Sequence, residues 1–328
     1  MNTRNTRNTL LAAWPLLLLL LAGAGFPRTS HAAAADDLPE PFLFLAWDAD
    51  VGRFLGDEAD SEGPKSFAAK ADGGLLILDQ VNLRILDFDA AGRELPAYAL
   101  PGPAFDDVGE AAGRFVLALD RLVTSTLLVY DLDGSIVTEL DLVGHGIEHA
   151  GLITAMFART DGVWLEVSHR HSVRVLDAAM GPCERRIVLG RPIEGGRSLI
   201  GKLDRPAGGA TISIGPRNAA KPDATITIPG ELPIRRIVQL DADAKGRVLA
   251  VVHEALFAGT TPFGVLDERY RLIRLDDRLA ELWTVRSPWV LTELDQRQEV
   301  RLGPDGGVWQ MFFTWEGVFV VRLDGGTP

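Results

Sequence analysis

The sequence predicts an all-β chain folded as a six-bladed β-propeller, each blade a four-stranded antiparallel sheet. Three observations lead there. The chain after residue 40 is built from apolar runs of four to six residues, rich in Val, Ile and Leu, with almost no helix-type spacing. Turn dipeptides separate the runs: Asp72-Gly73, Asp133-Gly134, Asp161-Gly162 and Asp305-Gly306. One series of turn glycines, Gly73, Gly113, Gly162, Gly209, Gly246 and Gly306, recurs with a mean interval of about 47 residues. A four-stranded unit of that size cannot bury both its faces alone. Such units stack radially and close into a ring.

Taken in order, the first unit spans residues 66–100 and the second 105–140. In both, a strong apolar run ends in an aspartate (Asp79, Asp120), and a later one ends in Phe88-Asp89 or Tyr130-Asp131. The third unit is 153–189. The fourth, 199–228, is the weakest, and its outer strand is not evident. The fifth is 235–285. The sixth offers only three runs, 300–302, 308–312 and 318–323, before the chain ends. The apolar segment 42–47 is the expected fourth strand, so the ring should be tied shut by its own N-terminal strand. One cysteine, Cys183, leaves no disulfide to do this.

Residues 1–35 read as an export signal: Arg4 and Arg7, an uncharged stretch from 10 to 26 with a leucine run, and small residues at 30–35 suited to cleavage near 32–35. Residues 36–62 then hold the closing strand and a linker, and 63–328 the propeller. Removal of the signal leaves 30 basic and 45 acidic residues. That balance argues against nucleic acid as a partner, and no later stretch has the length of a membrane span. The expected location is the periplasm or the medium.

Residues 63–92 carry a more specific pattern: Pro64, Asp72-Gly73, Asp79, Asn82, Arg84, Phe88 and Gly92. In this spacing the unit resembles an NHL repeat. The resemblance covers about thirty residues; later units keep the strand rhythm but lose the Asn-x-Arg element. It implies a propeller, and propellers of this kind serve mainly as binding platforms. It also implies that loops between second and third strands, and loops between blades, share one face. Five histidines then gather there: His145, His149, His169, His171 and His253, with Glu148 and Glu254 beside them. These are the candidate ligand-binding rim. Imidazoles can bind a divalent cation or act as bases, and His145 and His149 are the candidate metal ligands. Asp79, Asn82 and Arg84 are read as structural turn residues, their polar groups satisfying the tight connection.

Other strings carry less. His145-Gly146-Ile147-Glu148-His149 spells H-x-x-E-H, the inverted zinc-protease motif, but that chemistry needs a helix and Gly144 and Gly146 oppose one. Residues 196–202 approach a phosphate loop, yet Leu203 stands where the Mg²⁺-binding hydroxyl belongs. Residues 131–134 begin like a calcium loop without its closing Glu. No nucleophile elbow or dinucleotide loop is present. The expected function is therefore an exported, non-catalytic scaffold that binds a protein, peptide or glycan at its rim and channel mouth, with no cofactor. The alternative is a metal-dependent hydrolase or lactonase resembling the gluconolactonase group of six-bladed propellers. The mature chain has only two asparagines, Asn82 and Asn218, toward the ligand set which that group implies.

Overall fold

Among the residues that the computed structural model describes (40–53, 62–144, 146–259, 264–287 and 297–323), twenty-four strands form six separate four-stranded sheets. Residues 1–35, expected to be an export signal, and His145 lie outside the described residues. Blade one is β2 (Ser66–Ala69), β3 (Leu75–Asp79), β4 (Arg84–Phe88) and β5 (Glu94–Ala99). Blade two is β6 (Asp107–Ala111), β7 (Phe115–Asp120), β8 (Thr126–Tyr130) and β9 (Ile136–Asp141). Blade three is β10 (Ile153–Arg159), β11 (Gly162–Val167), β12 (His171–Leu176) and β13 (Pro182–Leu189). Blade four is β14 (Arg191–Ile193), β15 (Arg197–Asp204), β16 (Gly209–Pro216) and β17 (Ala224–Ile228). Blade five is β18 (Ile234–Ala242), β19 (Val248–Phe257), β20 (Val265–Leu275) and β21 (Glu281–Ser287). Blade six is β22 (Val300–Leu302), β23 (Val308–Phe313) and β24 (Gly317–Arg322), completed by β1 (Leu43–Ala46).

Burial follows position in the blade. Second and third strands are covered on both faces, so β3 and β8 are buried at every residue. Outer strands alternate, as β9 does. Tight turns connect the strands. At the first, Gly73 has φ +89°, open to glycine at little cost, and Asp72 Oδ1 accepts from the Gly74 N–H at 2.9 Å. Connections between second and third strands, and those between blades, emerge on one face, here called upper. The Asp-Gly turns lie on the lower face.

Ring closure rests on β1. It pairs antiparallel with β24 from Leu43↔Val320 to Ala46↔Gly317. Leu43, Leu45 and Trp47 are buried with Trp309, Met311 and Val320 in the cluster joining blades six and one. The Trp47 indole donates to the Thr314 carbonyl at 2.8 Å, and Phe42 meets Trp309 edge-on at 5.0 Å.

Apolar clusters likewise join blades one and two, two and three, four and five, and five and six. The seam between blades three and four differs. Blade three offers it Ala155, Phe157, Trp164 and Val188, a cluster with no blade-four member. Blade four turns Leu199 and Leu203 toward blade five, which by strand alternation leaves Ser198, Ile200, Lys202, Thr211 and Ser213, mostly polar, on the blade-three side. Polar contacts span the seam instead. Arg217 pairs with Asp161 at 2.7 Å and lies over the Trp164 ring at 4.8 Å. Arg159 Nε donates to the Pro192 carbonyl at 2.9 Å.

Several expectations need correction. Blade four begins at Arg191, not Leu199, and its outer strand is β17. Its irregular member is the three-residue inner strand. Gly209 opens β16 and so follows an upper turn, outside the lower-turn series to which its spacing assigned it. His253 and Glu254 lie inside β19, because the β19–β20 hairpin is long and carries its tip past the rim. Cys183 sits within β13, half-buried. Residues 197–202 of the phosphate-loop lookalike are extended strand.

Candidate functional site

The site grows from the shortness of β14. One residue, Gly190 (φ +70°), forms the whole connection from blade three to blade four. A side chain there would meet the Leu199 carbonyl oxygen at 2.3 Å, so only glycine fits this approach. As a result β14 pairs with β15 only over residues 197–199, while β15 runs on to Asp204. The missing upper half of the inner strand leaves a cleft of about 180 Å³ on the upper side. Glu166, His169, Gly190 and Arg191 line one side of it. Leu199, Gly201 and Leu203 of β15, and Arg236, Ile237 and Leu240 of β18, line the other.

Its floor is an ion pair. Arg191 Nε donates to Glu166 Oε1 at 2.5 Å and Nη2 to Oε2 at 3.0 Å, a two-pronged contact. Arg191 Nη1 reaches the Leu240 carbonyl of β18 at 2.8 Å, so one guanidinium ties blades three and five beneath the gap. Thr154 Oγ1 donates to Glu166 Oε2 at 2.7 Å, and His169 Nδ1 stands 3.1 Å from the same oxygen. Burial opposes ionisation of Glu166, but the Arg191 charge and the bonds from His169, Arg191 and Thr154 outweigh it and bring the carboxyl down to about 2. With Glu166 ionised, Nδ1 of His169 is the donor and Nε2 is left to solvent.

A second charged group stands on the blade-five side. Arg236 donates to Glu299 Oε1 at 2.9 Å and to the Tyr270 hydroxyl at 3.0 Å, with its side chain half exposed. Burial pushes the Glu299 carboxyl above its ordinary value, and the Arg236 charge counters that only in part. Across the channel mouth the Arg297 N–H donates to the Lys65 carbonyl at 2.7 Å and its guanidinium to the Ile153 carbonyl at 2.9 Å. Asp106 and Asp107 flank that guanidinium at 3.6 and 3.8 Å.

The rim residues expected from sequence are scattered. Glu148 and His149 are exposed in the loop between blades two and three. His149 directly precedes the 3₁₀ turn Ala150–Leu152, and the Gly146 φ of +98° keeps the preceding segment non-helical. His171 opens β12 and has Nε2 3.4 Å from the Gly146 carbonyl. His253 pairs with Glu268 at 3.1 Å and meets Tyr270 edge-on. Glu254 is fully buried and held by Arg269 and Arg271, each at 3.0 Å, so it anchors blade five and does not face the rim. Of the expected residues only His169 lines the cleft. Among the described residues, no three His, Cys, Asp or Glu side chains stand together as a metal site. Asp79 accepts from Asn82 at 2.9 and 3.0 Å and from Arg84 at 2.9 Å within blade one, and from the Gly52 N–H of the segment after β1 at 3.0 Å.

Glu166, Arg191 and Arg236 were not singled out by sequence reasoning. A signal existed for Glu166: it is the one charged residue in the otherwise apolar run of β11, where burial demands a partner.

No protein-family model matches the chain, and no curated protein matches it. Solved structures of similar chain trace include hydrazine synthase of Kuenenia stuttgartiensis, at 11% identity and a TM-score of 0.49, covering 79% of this chain and 76% of that one. A member of the duf4221 family from Bacteroides vulgatus is 10% identical over 85% of this chain and 95% of its own, with a TM-score of 0.48. Streptogramin B lyase is 12% identical over 81% and 95%, with a TM-score of 0.43. At these identities and scores they bear on no residue of the site.

Proposed function

We propose that this chain is an exported, non-catalytic binding protein that holds a partner protein on its upper face. The observation that carries the reading is the distribution of exposed apolar side chains. The upper turns present Leu83, Leu122 (61% exposed), Val123 (74%), Leu152 and Trp315 (65%), and the blade-five hairpin adds Leu256 and Leu266. Among the described lower turns only Leu132 is comparable; the remaining exposed aliphatics sit mostly on outer strands. Aliphatic groups concentrated on one loop face mark a protein contact.

The fold holds them out deliberately. Asp120 accepts from the N–H groups of Leu122, Val123 and Thr124 at 2.8–3.0 Å, which winds the turn tightly and points the two side chains outward. Arg121 ties that turn to the neighbouring loop through the Gly151 carbonyl at 3.1 Å. Leu122 and Leu152 therefore flank one linked surface. The NHL-like pattern of residues 63–92 supports the same reading, as does an acidic chain unsuited to nucleic acid. No helix of the described residues is long and apolar enough to cross a membrane.

Leu122→Asp with Val123→Asp is expected to leave the melting temperature unchanged, since both side chains are exposed, and to abolish co-purification of the natural partner from the producing cells. Leu132→Asp is the lower-face control and should have no effect. Equal loss in both variants, or in neither, contradicts the reading. Intact mass of the exported protein should place its first residue at about 33–36; an intact Met1 contradicts export by cleavage.

A further inference from the structure

Resting on that reading, we infer that the blade-four cleft is a strand-addition site, where an extended acidic segment of the partner pairs with the free inner edge of β15. Backbone geometry supplies the first argument. The Ile214 carbonyl accepts from Asp223 N–H at 2.8 Å, on the β17 side of β16. Backbone groups alternate sides along a strand, so Thr211 and Ser213 bond toward β15, and their partners Lys202 and Ile200 bond back. Gly201 and Leu203 then direct their N–H and C=O groups to the opposite, inner edge. Pairing with β14 ends at Leu199, and both residues line the cleft. Four adjacent backbone groups thus face open space, in the pattern that another strand satisfies.

The surroundings select the occupant. The apolar wall of Leu199, Leu203, Ile237 and Leu240 suits alternate β-branched side chains. Arg170 and Lys202 adjoin lining residues in sequence and Arg205 lies two residues beyond Leu203; all three are exposed and form no ion pair among the described residues, and Arg236, which lines the cleft, adds a half-exposed guanidinium. Asp204 is the exposed acid among them, and Glu166 is spent on Arg191. In a chain of net charge −12 this is a local basic border. It complements an acidic segment and repels a basic one.

The test pans a random dodecapeptide library on the exported protein. Enriched peptides should be rich in Asp and Glu alternating with Val, Ile or Thr. Their binding should slow hydrogen exchange at the Gly201 and Leu203 amides. Leu203→Pro removes one inner-edge N–H without touching the β16 ladder and should weaken binding about tenfold. Lys202→Glu with Arg205→Glu, both exposed, should weaken it at least as much and serves if the proline variant folds poorly. Failure to enrich any peptide, absence of an acidic bias, or no protection at those two amides overturns strand addition. Peptide binding that survives Leu203→Pro but is lost in Leu122→Asp overturns it too, while leaving the upper-face reading intact. Strand addition with natural-partner binding indifferent to Leu122→Asp does the reverse.

Discussion

A chain lacking residues 40–47 will fail to close its ring and will be recovered unfolded or aggregated. The truncation removes Leu43, Leu45 and Trp47 from the cluster between blades six and one. Each such side chain contributes roughly 1.5–3 kcal/mol when buried. Their sum, about 4.5–9 kcal/mol, approaches the whole stability of an ordinary domain. The loss also strips β24 of its outer neighbour and bares an apolar edge, the form of surface that aggregates. Leu45→Ala isolates the packing term and should cost about 2–5 kcal/mol while leaving the strand paired. Chemical denaturation of the two proteins measures both effects. A truncated chain that melts cooperatively within a few degrees of the intact one contradicts closure by β1.

The second large effect is expected at Glu166. Glu166→Gln leaves Arg191 buried, 6% exposed, without its counter-charge, and such changes cost about 3–5 kcal/mol. The seam between blades three and four has no shared apolar cluster to absorb this. The same pair dictates a pH dependence. The Glu166 carboxyl lies at about 2 in the folded chain against an ordinary value of 4.5. A depressed carboxylate stabilises the fold above its unfolded value, and that stabilisation fades as pH falls from about 4.5 toward 2. The difference corresponds to about 3 kcal/mol. Stability measured from pH 6 to pH 2 should fall more steeply in the wild type than in Glu166→Gln. Parallel curves would remove the ion pair from the account of the seam.

The propeller was legible because its determinants are local. Asp-Gly turns and two-residue alternation mark each blade, and a sixth unit one strand short points to residues 42–47. Blade four resisted because its defining feature is an omission. Arg191-Pro192-Ile193 is too short for a strand signal, and Gly190 looks like any turn glycine until its closeness to Leu199 is seen. The rim histidines show the opposite limit. Spacing placed them near loops but could not say which converge, and only His169 reaches the cleft. His253 and Glu254 were misplaced because strand length varies from blade to blade, with eleven residues in β20 against five in β4. Glu166 and Arg191 are 25 positions apart, and only the folded ring brings them together.

The claim that the upper face is the working face is tested most directly by site-specific photo-crosslinking in the producing cells. A benzophenone amino acid at Val123 or at Trp315, both exposed on upper turns, should yield one discrete higher-mass adduct with the same partner. The same group at Leu132, equally exposed on a lower turn, should yield none. Adducts from Leu132 without adducts from Val123 and Trp315 would contradict the account.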